Sequence, residues 1–139
     1  MIEYYKINES SEIKHRLLGK GLRNCLFIIS QEEFESGENK LEEILKAVKL
    51  DKNKDVLFWL TDQLEPDNLQ HIVAEYGISV ITSFGMDVNA FYPNLMIKDY
   101  QLSQMEAFTW LSVPRLSKVL SSRDEKMKLW KALQALFLN

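Results

Sequence analysis

Two apolar runs flanking an amphipathic stretch constrain this chain more than any other feature. Cys25-Leu26-Phe27-Ile28-Ile29 is followed by a polar segment, then by Leu41 to Leu50, then by Val56-Leu57-Phe58-Trp59-Leu60. Runs of apolar residues without polar alternation read as strands buried on both faces, the habit of parallel sheets. Lys40 to Lys49 places Leu41, Ile44, Leu45 and Val48 at i, i+3, i+4 and i+7, the stripe of a helix packed on one side. Asn24 to Asp62 is therefore read as a βαβ unit. Ser30 to Asn39, polar and acidic, reads as the loop after the first strand.

The alternation continues. Pro66 suits the first turn of a helix whose buried face is Leu69, Ile72, Val73 and Tyr76, and Gly77 suits its end. Ile78 to Thr82 reads as a third strand, Ser83-Phe84-Gly85-Met86 as a tight strand-to-helix turn, and Leu95 to Ile97 as a short extended piece. Phe108 to Val113 alternates enough to be an edge or half-covered strand, ended by Pro114. A last helix from Asp124 to Phe137 would bury Met127, Trp130, Leu133 and Phe137. Ser11 to Leu18 reads as a short helix, with Ile13, Leu17 and Leu18 on one face, ended by Gly19 and Gly21. With no linker and no repeat, residues 1–139 are expected to form one α/β domain, with 1–22 as an N-terminal segment. The expected architecture is a three-layer αβα sandwich on a mainly parallel four-stranded sheet. Right-handed crossovers put the loops after the strands on one edge, where ligands of open α/β sheets bind.

The 139 residues can bury roughly two thirds of the unfolded surface, enough for a core without a disulfide or metal staple. A formal charge of −3 disfavours tight nonspecific DNA binding. The lone cysteine, Cys25, lies inside an apolar run and fits a reducing compartment. Met1 to Tyr5 lacks the pattern of a signal peptide, and no run reaches the roughly 20 apolar residues of a membrane span. The chain is expected to be soluble and cytoplasmic.

Chemistry is thinly represented. His15 and His71 fall within the expected helices, away from the carboxyl edge of the sheet. No zinc spacing, phosphate loop or dinucleotide fingerprint occurs. The carboxylates Glu32, Glu33, Glu35 and Asp62 follow strands and are read first as solvated loop charges. Tyr4, Tyr5, Phe91 and Tyr92 fit no buried stripe, and exposed aromatics of this kind mark partner surfaces. No catalytic residue, cofactor or metal is expected.

The order of elements carries a resemblance. Val80-Ile81-Thr82-Ser83-Phe84-Gly85 followed by a short helix, Trp110-Leu111-Ser112-Val113-Pro114-Arg115-Leu116, and Lys128-Leu129-Trp130-Lys131-Ala132-Leu133 resemble the later half of the uracil-DNA glycosylase fold. Ser112-Val113-Pro114 stands where that family has a His-Pro-Ser motif, so its catalytic His is missing. Ser30-Gln31-Glu32-Glu33 replaces the Gly- and Pro-containing loop that carries the water-activating acid. One cysteine cannot hold the iron–sulfur cluster of some branches. On this likeness Ser30, Gln31, Glu33, Asp62, Phe84, Gly85, Ser112 and Pro114 would mark the edge of a vestigial pocket.

Within that fold the chain looks like the psi subunits of the bacterial DNA polymerase III clamp loader complex. The likeness rests on Cys25 to Leu69, on Val113-Pro114-Arg115-Leu116, and on Leu129-Trp130-Lys131-Ala132-Leu133. It implies a bridging protein in DNA replication. An N-terminal peptide would dock on the clamp loader, and the globular body would bind the chi subunit. Here the stretch before the first strand is short and has the Tyr4-Tyr5 pair in place of a clear anchoring motif. Two other readings stand beside it: an interaction domain of the same fold with an unrelated partner, and a nucleic-acid enzyme of the glycosylase type.

Overall fold

The structure, a computed structural model, describes residues 17–93 and 97–138; of Phe91 only the backbone is described. Strands β1 (Leu17–Leu18), β2 (Cys25–Ile29), β3 (Val56–Leu60), β4 (Val80–Phe84), β5 (Leu102–Gln104) and β6 (Thr109–Val113) form one sheet in the order β1-β3-β2-β4-β6-β5. The inner four, β3-β2-β4-β6, are parallel, and the outer two pair antiparallel. Five helices accompany them among the described residues: α1 (Gln31–Ala47), α2 (Pro66–Tyr76), α3 (Val88–Phe91), α4 (Leu116–Leu120) and α5 (Arg123–Phe137).

Direction of travel decides which face each helix covers. The chain steps from β2 outward to β3, then reverses past β2 to β4 and on to β6. Right-handed crossovers in opposite directions put their helices on opposite faces. Phe34, Leu41 and Leu45 of α1 pack with Cys25, Phe27 and Ile29, and α4 and α5 join them there. Leu69 and Ile72 of α2, with Val88 of α3, pack with Leu26, Ile28, Trp59 and Trp110 on the other face. Alternate residues of β2 feed the two cores, which is why the whole run is apolar and buried.

Among the described residues the sheet has six strands, not four. The two additions are too short and, at Leu102-Ser103-Gln104, too polar to stand out as apolar runs. Leu17 and Leu18 belong to β1, not to a helix, opposite Trp59 and Phe58; residues 11–16 of that expected helix lie outside the described residues. β6 is interior, between β4 and β5, because β5 covers its outer side.

The expected loop Ser30–Asn39 is the first half of α1. Ser30 is its N-cap, the hydroxyl accepting from the Glu33 N–H at 3.2 Å, and Glu32 and Glu33 suit the positive end of the helix dipole. Gly37 is buried against Leu116 and lets α4 approach; an added Cβ would lie 2.5 Å from Leu116 Cδ2. The third strand begins later than expected and runs through Ser83 and Phe84, held by Phe84 opposite Val113. Only Ile97 of the expected piece Leu95–Ile97 is described, and it is buried outside any strand.

In α5 the buried stripe is Leu129, Ala132 and Leu133; Trp130 and Phe137 are partly buried and Met127 is 42% exposed. The expected stripe lay roughly a third of a turn away, because this sequence carries two overlapping apolar rows. Tyr100 ties the segment before β5 to this layer. Its N–H donates to the Ser112 carbonyl at 2.9 Å and its hydroxyl to the Glu125 carboxylate. Burial, then that carboxylate, pushes the phenol pKa upward. No described helix is long and apolar enough to cross a membrane.

Candidate functional site

The reversal between β3 and β4 creates a switch point beside β2, where the helices after β2 and β3 leave on opposite faces. Open α/β sheets bind ligands at such a point, beyond the carboxyl ends of the strands. A cleft of about 480 Å³ lies there. Ser30 and Glu33 come from the start of α1, Asp62 from the end of β3, Phe84 and Gly85 from the end of β4, and Arg115 and Ser117 from the segment after β6.

Each wall has a local cause. Gly85 adopts φ 68°, and its N–H donates to the Val113 carbonyl at 2.8 Å. A Cβ there would stand 2.9 Å from Arg115 Cβ and 3.2 Å from its backbone nitrogen, so glycine allows the two turns to touch. Glu33 spans the cleft. Its carboxylate accepts from the Ser117 N–H and hydroxyl, both at 3.2 Å. Ser117 lies in the first turn of α4, so Glu33 caps that helix from outside it. Glu32, Asp62 and Arg115 are exposed.

The structure gathers part of the expected pocket edge. Ser30, Glu33, Asp62, Phe84 and Gly85 line this cleft. Gln31 lines a neighbouring cleft of about 520 Å³ with Thr61, Gln63 and Asp62, which both share; its amide donates to Glu35 at 3.0 Å. Phe84 is also core, 5.7 Å from the Phe27 ring. Ser112 and Pro114 do not line the cleft. Ser112 is buried opposite Ser83, and strand alternation turns it to the face of Trp110. Arg115 and Ser117 escaped the sequence reading, although a cation directly after the Pro114 that ends an interior strand is a usable signal for this edge.

Of the expected partner surface, Tyr4 and Tyr5 lie outside the described residues, as does the Phe91 side chain. Tyr92 is half-buried, edge-on to Trp110 with ring centroids 5.8 Å apart. Burial pushes its hydroxyl pKa upward. His71 lies on α2, exposed, 3.4 Å from Glu75. Among the described residues no cluster of three or more His, Cys, Asp or Glu is arranged to hold a metal ion. The cleft therefore offers carboxylates, hydroxyls and one guanidinium, with its central carboxylate engaged in holding two helices together. No family model matches this sequence, and no curated protein is significantly similar to it.

Proposed function

We propose that this protein is a non-catalytic interaction subunit resembling the psi accessory subunit of the bacterial clamp loader, on a degenerate uracil-DNA glycosylase-like fold. The observation that carries the reading is the use made of Glu33. Glu33, an acid lining the cleft where a water-activating base would be useful, spends both oxygens on Ser117. A general base must reach the proton that it abstracts, and a carboxylate serving as a helix cap is poorly disposed for this. Ser112, in the place of the family's His, is turned toward the Trp110 face, which supports the same reading.

On this proposal the protein works by contact in the bacterial cytoplasm, with no cofactor. A clamp-loader subunit meets the N-terminal segment that carries Tyr4 and Tyr5. A chi-like subunit meets the globular body, with Phe91 and Tyr92 at that surface. Direct DNA contact is weak, and no membrane is involved.

Co-expression of the full chain with the clamp-loader and chi-like subunits of its native host, followed by size-exclusion chromatography, tests this. Co-migration is expected, and Tyr4→Ala with Tyr5→Ala should release the clamp loader without lowering the melting temperature. Elution of the wild-type chain apart from every one of those subunits would overturn the proposal.

A further inference from the structure

A further concavity, about 340 Å³, opens on the face covered by α2 and shares no lining residue with the carboxyl-edge clefts. Val73 and Ala74 of α2 form one side; Met105, Glu106 and Phe108 of the β5–β6 turn form the other, and Tyr92 joins them. Trp110 stands behind, fully buried, 5.9 Å from the Phe108 ring and 5.8 Å from Tyr92. Its Nε1 donates to Ser83 Oγ at 2.9 Å, which fixes the indole. The half-buried aromatics therefore rest on a rigid backing and lose little freedom on binding. Aromatic anchors of this kind dominate protein interfaces.

Charge identifies the occupant. The net charge of −3 hides a segregation. Residues 61–114, which supply every lining residue of this groove as well as part of the carboxyl edge, contain seven acidic side chains and one basic one, Lys98, whereas residues 115–131 contain six basic and two acidic. Glu106 is the one charged residue among the described lining residues. Asp67 lies on the α2 face of Gln70 and Ala74, at i, i+3 and i+7. An apolar groove with acidic flanks repels phosphate backbones, anionic lipid surfaces and acidic peptides, and attracts cations.

We propose that this groove takes a basic amphipathic segment of a partner protein, with a large apolar or aromatic anchor flanked by Lys or Arg. This rests on the reading of the protein as one that works by contact, and not on which complex it joins.

The test uses the purified full chain and fluorescence polarisation with a short labelled amphipathic helical peptide of Leu, Trp and Lys. Two controls replace Lys by Glu or scramble the apolar spacing. The Lys peptide is expected to bind at least about tenfold tighter than either control, a difference of about 1.4 kcal/mol. Ala74→Arg and Glu106→Lys, both at exposed positions, should each weaken it by about tenfold or more at unchanged melting temperature. Glu43→Lys, the same charge change on α1, should leave binding unaltered.

Equal binding of either control, no binding at all, or equal loss from Glu43→Lys overturns the proposal. So does a concentration-dependent dimer, seen in sedimentation and abolished by Ala74→Arg, which would make a second copy the occupant. Co-migration with the clamp loader alongside any of these results defeats the groove assignment alone. Peptide binding as expected without co-migration defeats the replisome reading alone.

Discussion

The Glu33 carboxylate reaches across 84 residues of sequence to Ser117, accepting its N–H at one oxygen and its hydroxyl at the other. The same residue is the third position of its own helix, where its N–H donates to Ser30. In a capping box the side chain of that residue would return to its own N-cap. Here it crosses to a second helix and joins the first crossover of the sheet to the segment after the last strand.

Removing that link should destabilise the fold modestly. Glu33→Ala is expected to cost about 1 kcal/mol in urea denaturation, since the bonds are exposed but cap a helix. Ser117→Ala should cost less, because its N–H remains. A double-mutant cycle should show a coupling of about 0.5 kcal/mol; strict additivity would mean that the pair carries nothing.

Two glycines with similar backbone angles should respond differently to alanine. Gly77, at φ 62°, has nothing within 4 Å of an added Cβ, so Gly77→Ala is expected to cost about 1 kcal/mol, the left-handed strain alone. Gly85, at φ 68°, meets Arg115 backbone, and Gly85→Ala should cost about 3 kcal/mol. Equal melting temperatures for the two variants would refute the close approach of these turns.

The indole behind the apolar groove depends on one hydroxyl. Ser83→Ala leaves the buried Trp110 N–H without its partner and is expected to cost about 2 kcal/mol. Trp110→Phe added to Ser83→Ala should cost less than the sum of the single changes, since the second removal leaves no orphan. Denaturation midpoints of the three variants decide it.

Cys25 makes stability fall at high pH. Burial, reinforced by Asp55 and opposed by Arg23, pushes its thiol from an ordinary 9.0 up to about 12. The unfolded chain therefore loses this proton first. Stability is complete below about pH 9 and declines toward about 12, by up to about 1.4 kcal/mol per unit. A thiol-exchange reagent at about pH 8 should label Cys25 only in denaturant; rapid labelling of the folded chain would contradict the burial.

Excision of uracil from a DNA oligonucleotide is not expected. The assay needs a preparation free of host glycosylase. Excision lost on Glu33→Ala or Asp62→Ala would reverse the reading of the cleft.

Hydrophobic runs were enough to read the first two strands of the parallel core, because a strand buried on both faces carries few polar residues. Cys25–Ile29 and Val56–Leu60 carry that signal, and Pro66 and Gly77 mark the ends of α2 through backbone rules that hold without tertiary context. Tertiary structure decided the rest. Ser30 to Asn39 has the composition of a loop and becomes helix because Ser30 and Glu32 suit its start and Gly37 accepts Leu116 from α4. The edge strands exist only through pairing with β3 and β6, since two or three residues hold no period of their own. Met127 and Leu129 compete for the buried side of α5, and packing against α4 and the sheet settled it. The cleft was half legible for the same reason. Residues at strand ends could be assigned to one edge from the crossover rule, but Glu33 capping Ser117 and Ser112 turning to the Trp110 face depend on contacts between segments far apart in sequence.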